Sequence, residues 1–248
     1  MDKKAEDKCE MAIKEIKALT FDTGGTILDW HTGFYSIFKS IGADHGLERD
    51  WHHIANELRR RSLGKMINLG QKEPPQYNFD DAHRMVLKEL CQEFELDLFS
   101  EEDRRIIAFD VPHNFEVWDD FPDALFQLRK QFLCCSFTIL SFRIILDTAK
   151  RNNLSWDAVF SCEGIGQYKT LPASYETVSA WLQLPPSEIC MVACHNFDLD
   201  AAKAVGFKTA FVKRPNEWGP SGPPDPNPNP NHDIIVDTFP ELVKKLAK

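Results

Sequence analysis

Within "KALTFDTGGTILDW", residues 17–30, an apolar run delivers a single carboxylate, Asp22, to a Gly-Gly turn. Two residues on, where a second acid could donate a proton, the chain has Gly24. Three later apolar runs also lead to groups with chemistry of their own. "CCSFTIL" runs into Ser141, "DAVFS" precedes a loop carrying Lys169, and "EICMVA" opens into "ACHNFD", which holds His195 and Asp198. A carboxylate, a hydroxyl, an amine and a second carboxylate at four such ends make a set suited to nucleophilic or acid–base work. The glycines at 24 and 25 let backbone N–H groups approach an anion closely.

The elements that would position these groups follow from the hydrophobic pattern. The runs at 17–21, 134–140, 157–161, 188–193 and 208–212, and "DIIVD" near the end, are short, apolar and often β-branched, as buried strands are. Helical spacing occupies 122–132, 142–152, 172–184 and 198–205, the last stopped by Gly206. Strands alternating with helices predict an α/β fold, a doubly wound parallel sheet with its ligand crevice at the carboxyl ends of the strands. Residues 33–115 hold no convincing strand but show helical patterns at 34–45, 50–66, 79–95 and 101–109. They read as an inserted helical cap domain, with residues 1–32 and 116–248 forming the core domain. The stretch "RPNEWGPSGPPDPNPNPNHD" reads as an extended surface loop.

Composition removes several function classes. The formal charge of −9 opposes nucleic acid or an anionic membrane as partner, and the one basic cluster, Arg59-Arg60-Arg61, is too short to reverse it. No run of about 18 apolar residues is present, so no membrane span is expected. Seven cysteines without a C-x-x-C pair indicate neither a disulfide framework nor a structural zinc site. A reducing, cytoplasmic setting fits, and the N-terminus lacks an apolar signal segment. Cys194 and His195 are adjacent, and strand alternation would send them to opposite faces, so a Cys-His dyad is not expected.

In order, "FDTGGTILD", "ILSF", "YKTLPASY" and "VACHNFDLDAAKAVGF" resemble the four motifs of the haloacid dehalogenase superfamily. The resemblance spans essentially the whole chain, and the helical insertion sits where that superfamily places a small cap. Within it the pattern is most similar to the type II 2-haloacid dehalogenases. The superfamily's phosphatases carry an acid two residues after the nucleophile to protonate the leaving alkoxide, which Gly24 cannot do. A halide is a weak base and departs without a proton.

The resemblance implies a mechanism and a set of roles. Asp22 would attack the α-carbon of a 2-haloacid, and water would then hydrolyse the resulting ester, with no cofactor and no metal. Lys169 would keep Asp22 ionised, and Thr26 and Ser141 would hydrogen-bond the nucleophile or the substrate carboxylate. Asp198 would position the hydrolytic water, Tyr175 would support Lys169, and Arg59 on the cap would cradle the halide. His195 stands where the family pattern has asparagine, and Phe142 where it has another, so both are placed at the substrate. The partners implied are a small 2-haloacid and water, with the cap or an exposed helix offering a homodimer surface. Two other readings use the same residues: a Mg²⁺-dependent small-molecule phosphatase, and a non-catalytic binding member of the fold.

Overall fold

The computed structural model describes residues 15–67 and 73–247. The first fourteen residues of the expected core lie outside the described residues. Six strands form one sheet in the order β3-β2-β1-β4-β5-β6: β1 (Ala18–Phe21), β2 (Leu133–Thr138), β3 (Ala158–Ser161), β4 (Ile189–Ala193), β5 (Lys208–Val212) and β6 (Ile234–Val236). Every pairing is parallel. All residues of β1 and β4 are buried, which is why they read in sequence as mainly apolar runs without alternation.

β1 lies at the centre, with β2 on one side and β4 on the other, so the chain reverses its direction of travel across the sheet there. Phe21 is in register with both Ser136 and Val192. The Asp22 amide continues the ladder by donating to the Val192 carbonyl at 2.9 Å. The last ladder bond of the central strand therefore fixes Asp22 at the switch point, where an open α/β sheet forms its crevice. Below it, the rings of Phe21, Phe121 and Phe239 pack with centroids 4.8–6.2 Å apart. Each such side chain contributes roughly 1.5–3 kcal/mol through burial.

Between β1 and β2 the described residues form helices: α1 (Trp30–Asp44), α2 (Trp51–Met66), α3 (Phe79–Glu93) and α4 (Glu101–Arg105), continued by a π-helical stretch (Ile106–Asp110) and α5 (Val111–His113). The first begins at Trp30 rather than 34, because the Asp29 carboxylate accepts from the Thr32 amide and caps it there. The chain leaves and re-enters the sheet layer through one antiparallel contact. Asp29 N donates to Glu116 O and Trp118 N to Ile27 O, each at 2.9 Å. Helices α6 (Phe121–Leu128), α7 (Phe142–Arg151), α8 (Cys162–Ile165), α9 (Pro172–Leu182), α10 (Asn196–Val205) and α11 (Phe239–Leu246) connect or follow the strands. No helix among the described residues is long and apolar enough to cross a membrane.

Candidate active site

The turn after β1 is built to hold one carboxylate. Asp22 Oδ2 accepts from Thr26 Oγ1 at 2.7 Å, and Oδ1 lies 3.2 Å from Lys169 Nζ. Thr26 Oγ1 in turn accepts from the Cys194 amide at 3.0 Å, tying the turn to the end of β4. Lys169 is only 1% exposed, and its ammonium also reaches Asp198 Oδ2 at 2.7 Å. Tyr175 donates to the other oxygen, Asp198 Oδ1, at 2.6 Å. Asp198 is in the first turn of α10, where the positive end of the helix dipole favours an acid.

Burial alone would raise the Asp22 carboxyl, but the Lys169 ammonium, the His195 imidazole and the Thr26 hydroxyl outweigh it and hold it well below the usual carboxylate range. Burial would likewise lower Lys169, and the charges of Asp198 and Asp22 reverse that, so its pKa is raised. Asp198 moves the other way: burial pushes it up, and the pull of Lys169 only partly compensates. The Tyr175 phenol is pushed well above its ordinary value by burial and by Asp198, which keeps it a donor.

Arg59 enters from the helical segment. On α2 the buried positions Trp51, Ile54, Ala55, Leu58, Arg59, Ser62 and Met66 make one stripe, and Arg59 lies within it. Its Nη2 donates to the Gly24 carbonyl at 3.0 Å, and its guanidinium lies over the Trp30 and Phe79 rings. Its buried Nε has no hydrogen-bond partner among the described residues. Arg60 and Arg61 point outward and pair with Glu57 at 2.8 Å each. A Cβ on Gly24 would lie 2.9 Å from Arg59 Nη2, so the missing side chain at position 24 is the space the guanidinium uses.

Asp22, Gly24, Arg59 and Lys169 line a small pocket of about 10 Å³, together with Leu63, Ile67, Ile139, Leu140, His195 and Phe197. Asp22, Lys169, Thr26, Asp198, Tyr175, His195 and Arg59 are thus brought together. Two expected residues are not. The Ser141 hydroxyl donates to Asp80 Oδ2 at 2.6 Å and caps α7, so it bonds α3 instead of Asp22. Phe142 is 38% exposed with its ring against Gly164, outside the pocket, because as the first residue of α7 it points off the sheet. Its place at the pocket is taken by Ile139 and Leu140.

Cys194 and His195 also depart from expectation. Cys194 Sγ lies 3.4 Å from His195 Nε2, since both follow the last residue of β4 and strand alternation no longer applies to them. Burial and Glu217 nevertheless raise the Cys194 thiol, so it is not an activated nucleophile. Glu217, 1% exposed, is the residue that sequence reasoning missed. Its Oε1 accepts from Trp30 Nε1 at 3.1 Å and is 3.0 Å from His195 Nε2. The available signal was an acid a few residues beyond a strand's carboxyl end, at the start of a proline-rich loop.

The oxygens that could converge on a metal here are already engaged: Asp22 and Asp198 by Lys169, Asp198 by Tyr175, and Gly24 O by Arg59. A divalent cation would also sit beside an ammonium and a guanidinium, so the donor set does not fit one. Cys194, His195 and Glu217 bring S, N and O atoms within 4.8 Å of one another. Those atoms face each other at hydrogen-bond separations, and we assign no metal there.

A doubly wound sheet with a nucleophile-competent aspartate at its switch point and a buried lysine bridging it to a second aspartate defines a hydrolase class, and the sequence agrees. The model of the haloacid dehalogenase-like hydrolases matches residues 16–206, and the chain belongs to that family. Within it the resemblance is to the 2-haloacid dehalogenases. The chain is 22% identical over 245 residues to (S)-2-haloacid dehalogenase 4A of Burkholderia cepacia, covering 95% of this chain and 99% of the relative. Among solved structures it is similar to the defluorinating L-2-haloacid dehalogenase Rha0230, with 30% identity, a TM-score of 0.86 and coverage of 94% and 96% of the two chains. The L-2-haloacid dehalogenase PA0810 is similar at 29% identity and a TM-score of 0.84, covering 94% and 100%.

Proposed function

We propose that the protein is a hydrolytic dehalogenase that converts 2-haloacids to 2-hydroxy acids through an ester on Asp22, without a metal. The observation that carries this reading is the environment of Asp22. It is a buried, ionised carboxylate held by an ammonium, a hydroxyl and an imidazole, and the position two residues on offers only a carbonyl already bonded to Arg59. Such a site can attack and can receive an anion, but has no acid there to protonate an alkoxide.

In the first step a carboxylate oxygen of Asp22 forms a bond to the α-carbon as the carbon–halogen pair leaves with the halide. Arg59, with its unpartnered Nε, receives the halide's charge. Water then adds to Cγ of Asp22, and the ester opens to release the hydroxy acid, which keeps the oxygen that Asp22 supplied. A proton is released overall. Asp198, held by Lys169 and Tyr175, is the group that orients this water.

The assay is halide release from both enantiomers of 2-chloropropionate, and from chloroacetate and fluoroacetate, with and without EDTA, beside phosphate release with Mg²⁺. Halide release indifferent to EDTA is expected. Phosphate release abolished by EDTA, with no halide formed, would assign the protein to the phosphatases instead. A single turnover in ¹⁸O water with enzyme in excess should label Asp22 and not the product; label appearing first in the product would mean that Asp22 acts as a base.

A further inference from the structure

Each ring nitrogen of His195 faces a carboxylate oxygen. Nδ1 lies 3.2 Å from Asp22 Oδ2, and Nε2 lies 3.0 Å from Glu217 Oε1. A neutral imidazole has one N–H, so one contact would oppose a lone pair to an anionic oxygen; an imidazolium donates to both. Glu217 cannot easily give way. Its carboxylate is buried, Oε1 also accepts from Trp30, and Oε2 lies 3.6 Å from Cys194 Sγ. It is also seated hard against the catalytic turn: a Cβ on Gly25, whose φ is +95°, would come within 2.0 Å of Oε1. Among the described residues the other ionisable group bonded to the ring is Cys194; Arg59 and Lys169 line the same pocket without a bond to it.

We propose that Glu217 is a positioning residue that holds His195 as a doubly bonded imidazolium, with Nδ1–H aimed at Asp22 Oδ2. The proposal deepens the dehalogenase reading and rests on it for its chemical meaning. Oδ2 is the Asp22 oxygen held by two donors, Thr26 and His195, whereas Oδ1 has the single longer contact to Lys169. Oδ1 is therefore left to attack carbon, and Oδ2 carries the negative charge when water adds to Cγ. An imidazolium has no lone pair, so His195 stabilises that charge and does not take a proton from water. Burial opposes the charged ring, but Cys194 and the two carboxylates raise His195 well above an ordinary histidine, in the direction the geometry demands.

The test is NMR of ¹⁵N-histidine-labelled protein, with the His195 signals assigned by their loss in His195→Asn. In the wild type both ring nitrogens should remain protonated at pH 8, where an ordinary histidine, with a pKa of about 6.5, is neutral. In Glu217→Gln the titration midpoint should fall by at least about one pH unit, a tenfold loss in proton affinity. The basic limb of kcat should move down with it while KM stays within about twofold. In a His195→Asn background Glu217→Gln should change kcat no further. A neutral His195 at pH 8 in the wild type overturns the proposal without any variant having to fold. So do equal titrations in wild type and Glu217→Gln, or an equal kcat loss in both backgrounds. The NMR result does not depend on substrate, so an enzyme that releases no halide would refute the dehalogenase reading and leave this measurement standing.

Discussion

Gly24→Ala should separate activity from stability. The added Cβ would lie 2.9 Å from Nη2 and 3.3 Å from Nη1 of Arg59. Restoring ordinary contact requires Nη2 to withdraw by about 0.5 Å, which carries its 3.0 Å bond to Gly24 O toward the limit of hydrogen bonding. A hydrogen bond to a charged group is worth about 1.5–3 kcal/mol, so kcat/KM for halide release should fall about ten- to a hundredfold. The fold should not suffer in proportion. Gly24 is not among the residues with positive φ, and alanine there restricts the unfolded chain, which contributes about 0.4–1 kcal/mol of stability. That gain offsets only part of the weakened Arg59 bond, so at about 2–4 °C per kcal/mol the melting temperature should fall by a few degrees at most. Gly25→Ala should lose more stability, because its φ of +95° strains the backbone by at least about 1–2 kcal/mol, and its 2.0 Å approach to Glu217 should lower kcat as well. Halide-release kinetics and thermal melts on the two variants decide the matter. An alanine at 24 with undiminished kcat/KM would show that Arg59 does not need that carbonyl.

Arg59→Lys should impair halide release by at least about tenfold, since an ammonium cannot bond Gly24 O and also spread over the pocket, while Arg60→Lys should be silent; equal effects in steady-state kinetics would count against the assigned register of α2. Asp22→Asn should lower turnover by about a thousandfold or more with an unchanged circular-dichroism spectrum, and an active Asn variant would end the nucleophile assignment. The bonds from Arg60 and Arg61 hold the Glu57 carboxyl down to about 2 against the opposing effect of burial. A lowered acid stabilises the fold above its ordinary pKa and loses that contribution as pH falls toward the folded value. The unfolding free energy of Glu57→Gln from urea titration should therefore lag the wild type by at most about 1 kcal/mol at pH 7, and the gap should shrink between pH 4.5 and 2. A gap that widens in acid would refute the sign.

The strands were legible because both faces of a parallel sheet are buried, leaving no alternation to confuse the reading. Asp22, Lys169 and Asp198 were legible because each follows the carboxyl end of such a run, and β-sheet register then brings those ends together. The register of Arg59 was also present in the sequence, as an arginine inside the apolar stripe of Ile54, Leu58, Ser62 and Met66. What could not be read was which partner a polar side chain would choose across a long separation. Ser141 bonds Asp80, 61 residues away, and nothing local marks that preference. Glu217 was hidden for a different reason: its loop has the composition of a solvated connection, yet it folds back over the turn at Gly25. Phe142 was misplaced because the residue after a strand-end serine can start a helix facing outward.

The 10 Å³ pocket holds about one water, so on the proposed function a three-carbon acid would require α2 to draw back from the turn after β1. The two chain crossings at 27–29 and 116–118 lie side by side, and a motion about them leaves the sheet undisturbed. The cations are divided by that motion. Lys169 and His195 bond Asp22 directly, whereas Arg59 is carried by α2 and would move with it. On the proposed mechanism the nucleophile would keep its charge in an open site, and the acceptor for the departing anion would arrive only on closure. Solvent viscosity then becomes a lever on the rate wherever closure is slower than bond breaking, and the same movement that shuts water out makes the leaving step favourable.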